Sequence, residues 1–209
     1  MINYIDAIAA PNKNNGHIKL HGPEGFAGMR KAGQLTARCL DELVPMIEPG
    51  LTTQAIDRFV FEFGMDHGAV PATLNYRDYT NSCCTSLNHV VCHGIPSEKP
   101  LREGDIVNID VTYVLDGWHG DSSRMYPVGE IKRAAHRLME VTHKSLLLAL
   151  DVVKPGARTG AIGEAIQRYA EAERCSVVRD FCGHGLGKLF HDVPNILHYG
   201  RAHEGVELR

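Results

Sequence analysis

Several features that would mark a specialised class of protein are missing from this sequence. Its 209 residues contain no low-complexity tract, and its six cysteines form no C-x-x-C pair. Because the N-terminus has no basic segment and no long apolar run follows it, neither secretion nor a membrane span is expected. The net charge of −3 argues against binding nucleic acid through a basic face. Scattered thiols are typical of a reduced, cytoplasmic protein.

The residues that are present indicate a soluble globular domain, with 44% hydrophobic and 22% charged side chains. Twelve histidines are the unusual count, and they direct attention to metal or proton-transfer chemistry. Residues 1–24 are rich in Asn, Gly and Pro, which predicts an extended N-terminal extension. Residues 25–209 are long enough for one large domain.

An internal repeat organises residues 25–209. Apolar residues recur at helical spacing over about 28–49 and 53–64, and the same pattern returns over about 138–169. Five residues recur at one constant offset, so that Pro49, Gly50, Thr53, Ala55 and Ile56 match Pro155, Gly156, Thr159, Ala161 and Ile162. We predict two duplicated halves, at about 25–130 and 131–209, related by pseudo-twofold symmetry. The alternative is a coincidence between two helix pairs that both contain Pro-Gly.

The first half then turns to strands. Residues 82–86 and 90–92 are short β-prone runs, and Asp116-Gly117 separates two longer ones at 106–115 and 118–128, which indicates a hairpin. Alternation along the first long strand predicts one apolar face and one polar face.

The polar face of this hairpin carries two carboxylates. A two-residue turn pairs Thr112 with Asp121, so that Asp110 and Asp121 become diagonal neighbours about 7 to 8 Å apart. From there both could converge on a pair of cations, whereas a three-residue bulged loop would break this arrangement. On the hairpin alone, a solvated outer face is the alternative interpretation.

Three histidines stand beside glycine or proline in strand-like surroundings. A predicted strand at 176–181 leads to His184, which lies between two glycines, and His191 follows seven residues later. His93 lies in a similar place in the first half. Together with the paired aspartates they predict a site. A zinc site made of Cys84, Cys92 and His93 is a weaker alternative, because its spacing is poor and it lacks a fourth ligand.

Several long segments of the sequence resemble the bacterial type I methionine aminopeptidases, from about Gly22 to the last residue. They are the segments 84–96, 104–112, 116–121 and 176–191. The resemblance implies the pita-bread fold, an α/β (α+β) domain with pseudo-symmetric halves. It also implies removal of the N-terminal methionine of nascent polypeptides whose second residue is small, through attack by a metal-bridging hydroxide.

Roles for individual residues follow from the same resemblance. Asp110, Asp121 and His184 correspond to ligands of two divalent metal ions, and His93 and His191 correspond to catalytic, substrate-contacting histidines. The methionine pocket corresponds to Tyr76, Tyr79, Cys84 and Phe190. Oxygen and imidazole ligands suit Fe²⁺, Mn²⁺, Co²⁺ or Zn²⁺. A cytoplasmic monomer that associates with ribosomes, without direct nucleic-acid or membrane binding, is expected.

The resemblance also implies two glutamate ligands that the matched positions do not supply. The repeat places their strands at about residues 207–227, so we expect a truncated second half, weak metal binding and impaired activity. A non-catalytic pita-bread binding module and a proline-specific peptidase of the same fold are the alternatives. Ligands lost by substitution would support the binding module, but Asp110, Asp121 and His184 are all present.

Overall fold

The computed structural model describes residues 3–9 and 12–209. The chain divides into two compact units. The first unit is the continuous segment Gly22–Arg133, and the second unit combines the residues up to His21 with Ala134–Arg209. Among the described ranges, no helix has both the length and the apolar composition that crossing a bilayer requires.

Helices and strands alternate along the chain, with short 3-10 turns at Ala7–Ala9, Val44–Met46 and Tyr76–Asp78. In chain order they are β1 (Tyr4–Asp6), β2 (Ile18–Leu20), α1 (Pro23–Leu43), α2 (Thr53–Asp66), β3 (Val70–Pro71), β4 (Cys83–Leu87), β5 (Ile106–Leu115), β6 (Trp118–Pro127), α3 (Arg133–Asp151), α4 (Thr159–Ala172), β7 (Gly183–Gly185) and β8 (Asp192–Ile196).

The core of the first unit lies between α1, α2 and one face of a four-stranded sheet. Helix α1 buries residues three or four positions apart, and β5 buries alternate ones, because those are the periods at which each element returns to the same face. The buried members include Ala32, Cys39, Leu43, Val107, Ile109, Val111 and Tyr113. Gly120 lets the helix approach closely, since a Cβ there would lie 2.3 Å from the Ala32 carbonyl carbon.

The predicted hairpin is confirmed, with its two-residue turn. Strands β5 and β6 pair from Ile106 opposite Pro127 to Leu115 opposite Trp118. Strands β4 and β3 pair with the other edge of β5. Both turn residues, Asp116 and Gly117, have positive φ values of 52° and 79°, as a tight hairpin turn between twisted strands requires.

The helix pairs reproduce the repeat of the sequence. Helices α2 and α4 each contain 14 residues and begin at Thr53 and Thr159. Gly50 and Gly156, which precede them, both have positive φ values, and each donates a hydrogen bond of 2.8 Å to a leucine carbonyl, that of Leu101 or Leu208. The helical half of the predicted duplication is therefore present twice.

Three expectations about local structure were wrong. Helix α1 ends at Leu43 rather than near Pro49, because Pro45 has no N–H to donate to the Asp41 carbonyl, which accepts from Val44 instead. Residues 90–92 form no strand and follow a turn at 88–89, which is closed by the Val90 N–H donating to the Leu87 carbonyl. Residues 176–181 pair with no strand among the described residues. A β-prone sequence forms a strand only where a second strand takes up its hydrogen bonds.

The second unit contains two small sheets and two helices. The N-terminal extension forms a parallel pair, β1 with β2, and β7 pairs with β8 in antiparallel fashion with an irregularity at His184/Gly185. Helix α3 buries little of its surface. Four of its leucines, Leu138, Leu146, Leu147 and Leu150, remain 41–58% exposed.

Candidate functional site

The hairpin of the first unit places two carboxylates on one face. Thr112 lies opposite Asp121 and Asp110 lies opposite Ser123, so Asp110 and Asp121 are diagonal neighbours across β5 and β6, as predicted. This face lies opposite the buried face that carries Val107, Ile109 and Val111.

The environment of this pair resists two negative charges. Burial, and then the charge of Asp121, raise the pKa of Asp110 from 3.8 to about 7. Two partly buried carboxylates that repel each other are compensated by a divalent cation, for which carboxylate oxygens are suitable ligands. The residues present therefore fit a divalent metal.

Strand β4 brings a third side chain to the same face. Cys84 lies directly opposite Asp110. Burial raises the pKa of its thiol, a hydrogen bond from Tyr79 lowers it, and the charge of Asp110 raises it. The Tyr79 hydroxyl also donates to the Cys83 carbonyl at 2.8 Å, and burial raises the pKa of that hydroxyl. Tyr79 and Cys84, two of the predicted pocket residues, therefore lie beside the carboxylate face.

His93 is held beside β4 by the glycine that follows it. The Gly94 carbonyl accepts from the Thr85 backbone N–H at 2.8 Å, and the Gly94 N–H donates to Ser86 Oγ at 3.0 Å. A Cβ on Gly94 would lie 2.1 Å from the Thr85 carbonyl oxygen, so only glycine fits. His93 itself has a φ of 56°, in the left-handed region.

Asp57 is a residue that the motif analysis did not single out. It lies on α2, is 7% exposed, and accepts backbone hydrogen bonds from Ser82 and Cys83 at 2.7 and 3.2 Å. Its other oxygen accepts from the Asn81 side chain at 3.1 Å. It thereby fixes the start of β4. The signal that could have found it is an acidic residue on the apolar face of a predicted helix.

The loop before β4 carries the remaining pocket residue of the first unit. Tyr76 begins a 3-10 turn with left-handed residues on both sides, and the Arg77 guanidinium lies over its ring, 5.3 Å from the centroid. Thr73, in the same loop, donates to the Asn81 carbonyl at 3.0 Å.

The second unit brings its own three predicted residues together. The rings of His184 and His191 lie 4.3 Å apart between centroids, and the Phe190 ring lies 4.2 Å from that of His191. His184 is on β7, with its Nδ1 2.9 Å from the Gly185 carbonyl oxygen. Gly185 permits this arrangement, since a Cβ there would meet the Val193 carbonyl oxygen at 2.3 Å.

Neither unit by itself contains a complete set of metal ligands among the described residues. Within either unit, the described residues contain no group of three or more His, Cys, Asp or Glu side chains arranged to hold a metal ion. The alternative zinc site of Cys84, Cys92 and His93 is therefore not formed. Asp110 and Asp121 remain a pair of carboxylates on one face of the hairpin.

Comparisons with known proteins agree with these features. The model of metallopeptidase family M24 matches residues 27–209. The methionine aminopeptidase of Rickettsia prowazekii is 51% identical over 192 residues, which cover 92% of this chain and 74% of that protein. The methionine aminopeptidase of Escherichia coli K12 is 46% identical over 194 residues, which cover 92% of this chain and 74% of that protein.

Solved structures agree on the fold. The crystal structure of the Rickettsia prowazekii methionine aminopeptidase superposes with a TM-score of 0.90 over 91% of this chain and 77% of that one, at 51% identity. The crystal structure of the Thermotoga maritima methionine aminopeptidase superposes with a TM-score of 0.88 over 90% of this chain and 76% of that one, at 38% identity. The expected pita-bread fold is confirmed by these neighbours. This chain belongs to metallopeptidase family M24 and, within that family, to the methionine aminopeptidases.

Proposed function

We propose that this chain is a metal-dependent exopeptidase that removes the N-terminal methionine of polypeptides whose second residue is small. The observation that carries the proposal is the hairpin register, which sets Asp110 and Asp121 on one face of a chain about half identical to methionine aminopeptidases. Two divalent ions, drawn from Fe²⁺, Mn²⁺, Co²⁺ and Zn²⁺, are the proposed cofactors. They would be held by Asp110, Asp121 and His184.

Bound divalent cations would activate water, by lowering its pKa, for attack on a peptide carbonyl at neutral pH. The remaining chemistry belongs to side chains of the chain. His191 donates a hydrogen bond to the carbonyl oxygen on which negative charge develops. His93 forms a hydrogen bond on the nitrogen side of the scissile amide and orients it.

The proposed methionine pocket is lined by Tyr76, Tyr79, Cys84 and Phe190. Tyr79 and the buried Cys84 support this assignment because both side chains are uncharged at neutral pH, and burial raises the pKa of each further. An uncharged, partly apolar lining suits a thioether side chain. We further propose that the protein acts in the cytoplasm as a monomer, on nascent chains at the ribosome.

The experiment is release of methionine from the peptide Met-Ala-Ser, measured separately with each of the four metals and with bound metal quantified in parallel. Asp121→Asn is expected to lower both metal content and turnover, the turnover by at least about 100-fold. The matched control is Asp116→Asn, in the turn of the same hairpin, which is expected to leave both unchanged.

Two results would contradict the proposal. The first is release that survives metal removal or the Asp121→Asn change. The second is bound metal without any release, which would favour the non-catalytic binding module.

A further inference from the structure

The second unit contains a buried lysine outside the residues assigned above. Lys19 lies on β2 of the N-terminal extension, and its side chain is 3% exposed. Lysine is almost never fully buried unless it is paired. Its Nζ forms an ion pair with Asp192, whose side chain is 10% exposed.

Asp192 connects this lysine to the chain segment of His191. It is the residue after His191 and the first residue of β8, where it lies opposite Gly185 on β7. One of its carboxylate oxygens contacts Lys19, and the other accepts from the Val193 backbone N–H at 2.9 Å. The carboxylate therefore ties the beginning of β8 to a side chain from a distant part of the sequence.

Strand β2 is itself fixed, so it can serve as an anchor. Lys19 lies opposite Ile5 in the parallel pair of β1 and β2. Two residues later, the His21 ring lies against Gly187, where a Cβ would meet His21 Cε1 and Nε2 at 3.0 Å. Lys19 through Asp192 and His21 through Gly187 therefore both contact the segment that runs from Gly187 to the beginning of β8.

We propose that Lys19, acting through Asp192, is a positioning residue for His191. Without the ammonium group, the Asp192 carboxylate would be a buried charge without its partner, and it would turn towards water. The adjacent His191 would then leave its place beside His184 and Phe190. The inference rests on the proposed function only in taking His191 to contact the substrate.

The first test does not depend on activity. Ring signals of the twelve histidines are recorded by NMR on the ¹³C-histidine-labelled chain, with His191 assigned from a His191→Gln variant. Lys19→Met is expected to shift the His191 signal while leaving that of His203 in place. Lys31→Met is the matched control, because it breaks an ion pair with Asp116 whose side chains are 64% and 66% exposed.

A second variant covers the case in which Lys19→Met does not fold. The double change Lys19→Met with Asp192→Asn leaves no uncompensated charge, so it is expected to fold and still to shift the His191 signal. A His191 signal that coincides with that of the wild type in the folded variants would overturn the proposal. So would an equal shift of all histidine signals in the second unit, which would indicate only a structural role.

The kinetic test uses Met-Ala-Ser. Lys19→Met is expected to lower kcat by about 10- to 100-fold with little change in KM, because a displaced His191 weakens contacts made as charge develops. A rise in KM with kcat unchanged would overturn the proposal. If the wild type releases no methionine, the proposed function fails while the NMR result still decides the role of Lys19.

Discussion

Gly94 is the glycine of the first unit at which an added Cβ would come closest to a backbone atom, at 2.1 Å. Gly94→Ala is expected to lower the free energy of unfolding by about 1–3 kcal/mol, because its Cβ would clash with the backbone oxygen of Thr85 rather than with a movable side chain. The measurement is denaturant unfolding followed by the fluorescence of Trp118, the single tryptophan.

The control for this prediction is Gly33→Ala on α1, where a Cβ meets nothing within 4 Å. It is expected to leave stability unchanged or to raise it by up to about 1 kcal/mol, since alanine is the better helix former. Equal effects of the two changes would show that the close approach at Gly94 does not matter.

The buried thiol of Cys39 should make the free energy of unfolding of the first unit depend on pH in the alkaline range. Burial raises the pKa of its thiol from 9.0 to about 11. Between these values the unfolded chain loses the proton while the folded chain keeps it, so the free energy of unfolding falls as pH rises from about 9 to about 11.

Cys39→Ala is expected to lower stability at all pH values, because it leaves a cavity, and to make the decline between about pH 9 and 11 shallower. Unfolding of both proteins at two pH values, with Cys175→Ala as the control, measures the difference. A decline of identical steepness in the Cys39→Ala variant would refute the assignment.

Residues of the site differ in how far sequence could predict them. Asp110 and Asp121 were predictable because alternation and a two-residue turn fix which face each occupies. The left-handed conformation of His93 follows from the fit of Gly94 against β4, a contact that no local pattern reveals. The partnership of Lys19 with Asp192 joins residues 173 positions apart, beyond the reach of any periodicity.

At the scale of elements, the two matching helices α2 and α4 begin differently. Thr52 precedes α2 and accepts a hydrogen bond from the Ala55 N–H at 3.1 Å, whereas Arg158 precedes α4 and makes no such cap. Thr52→Ala is expected to lower the free energy of unfolding by about 1 kcal/mol. Trp118 fluorescence in denaturant measures it, and Thr52→Ser, which keeps the hydroxyl, is expected to match the wild type.

Elements were predictable where a strong period coincided with a clear stop. The hairpin of β5 and β6 and the helices α2 and α4 fulfil both conditions. Residues 176–181 had β-prone composition but no partner strand in the described part of the chain, and α1 ended at Leu43, before its apolar period did. Pairing and the missing N–H of proline outweigh composition in these places.

At the scale of the whole molecule, the apolar surface of α3 affects behaviour in solution. Leu146 and Leu150, 54% and 58% exposed, lie one turn apart on this helix. The protein is proposed to act as a monomer, but in concentrated solution we expect association through these leucines, because apolar surface lowers its free energy by leaving water.

Changing both leucines to glutamine is expected to reduce association, measured by light scattering over a concentration series. Stability is expected to stay within about 0.5 kcal/mol, as for other surface changes. The control changes His143 and Lys144 to glutamine on the same helix. Equal scattering by the wild type and the leucine variant would exclude this patch as the cause.

The division of the chain also sets an order for its assembly during synthesis. The first unit is one uninterrupted segment and can fold as soon as Arg133 has left the ribosome. The second unit is interrupted by it, so β1 and β2 are made before the first unit and wait for partners that are made after it. Lys19 meets its carboxylate only when Asp192 emerges, and the Tyr4 hydroxyl meets the Glu207 carbonyl later still. Strands β1 and β2 therefore reach their final place only after the whole first unit has been made.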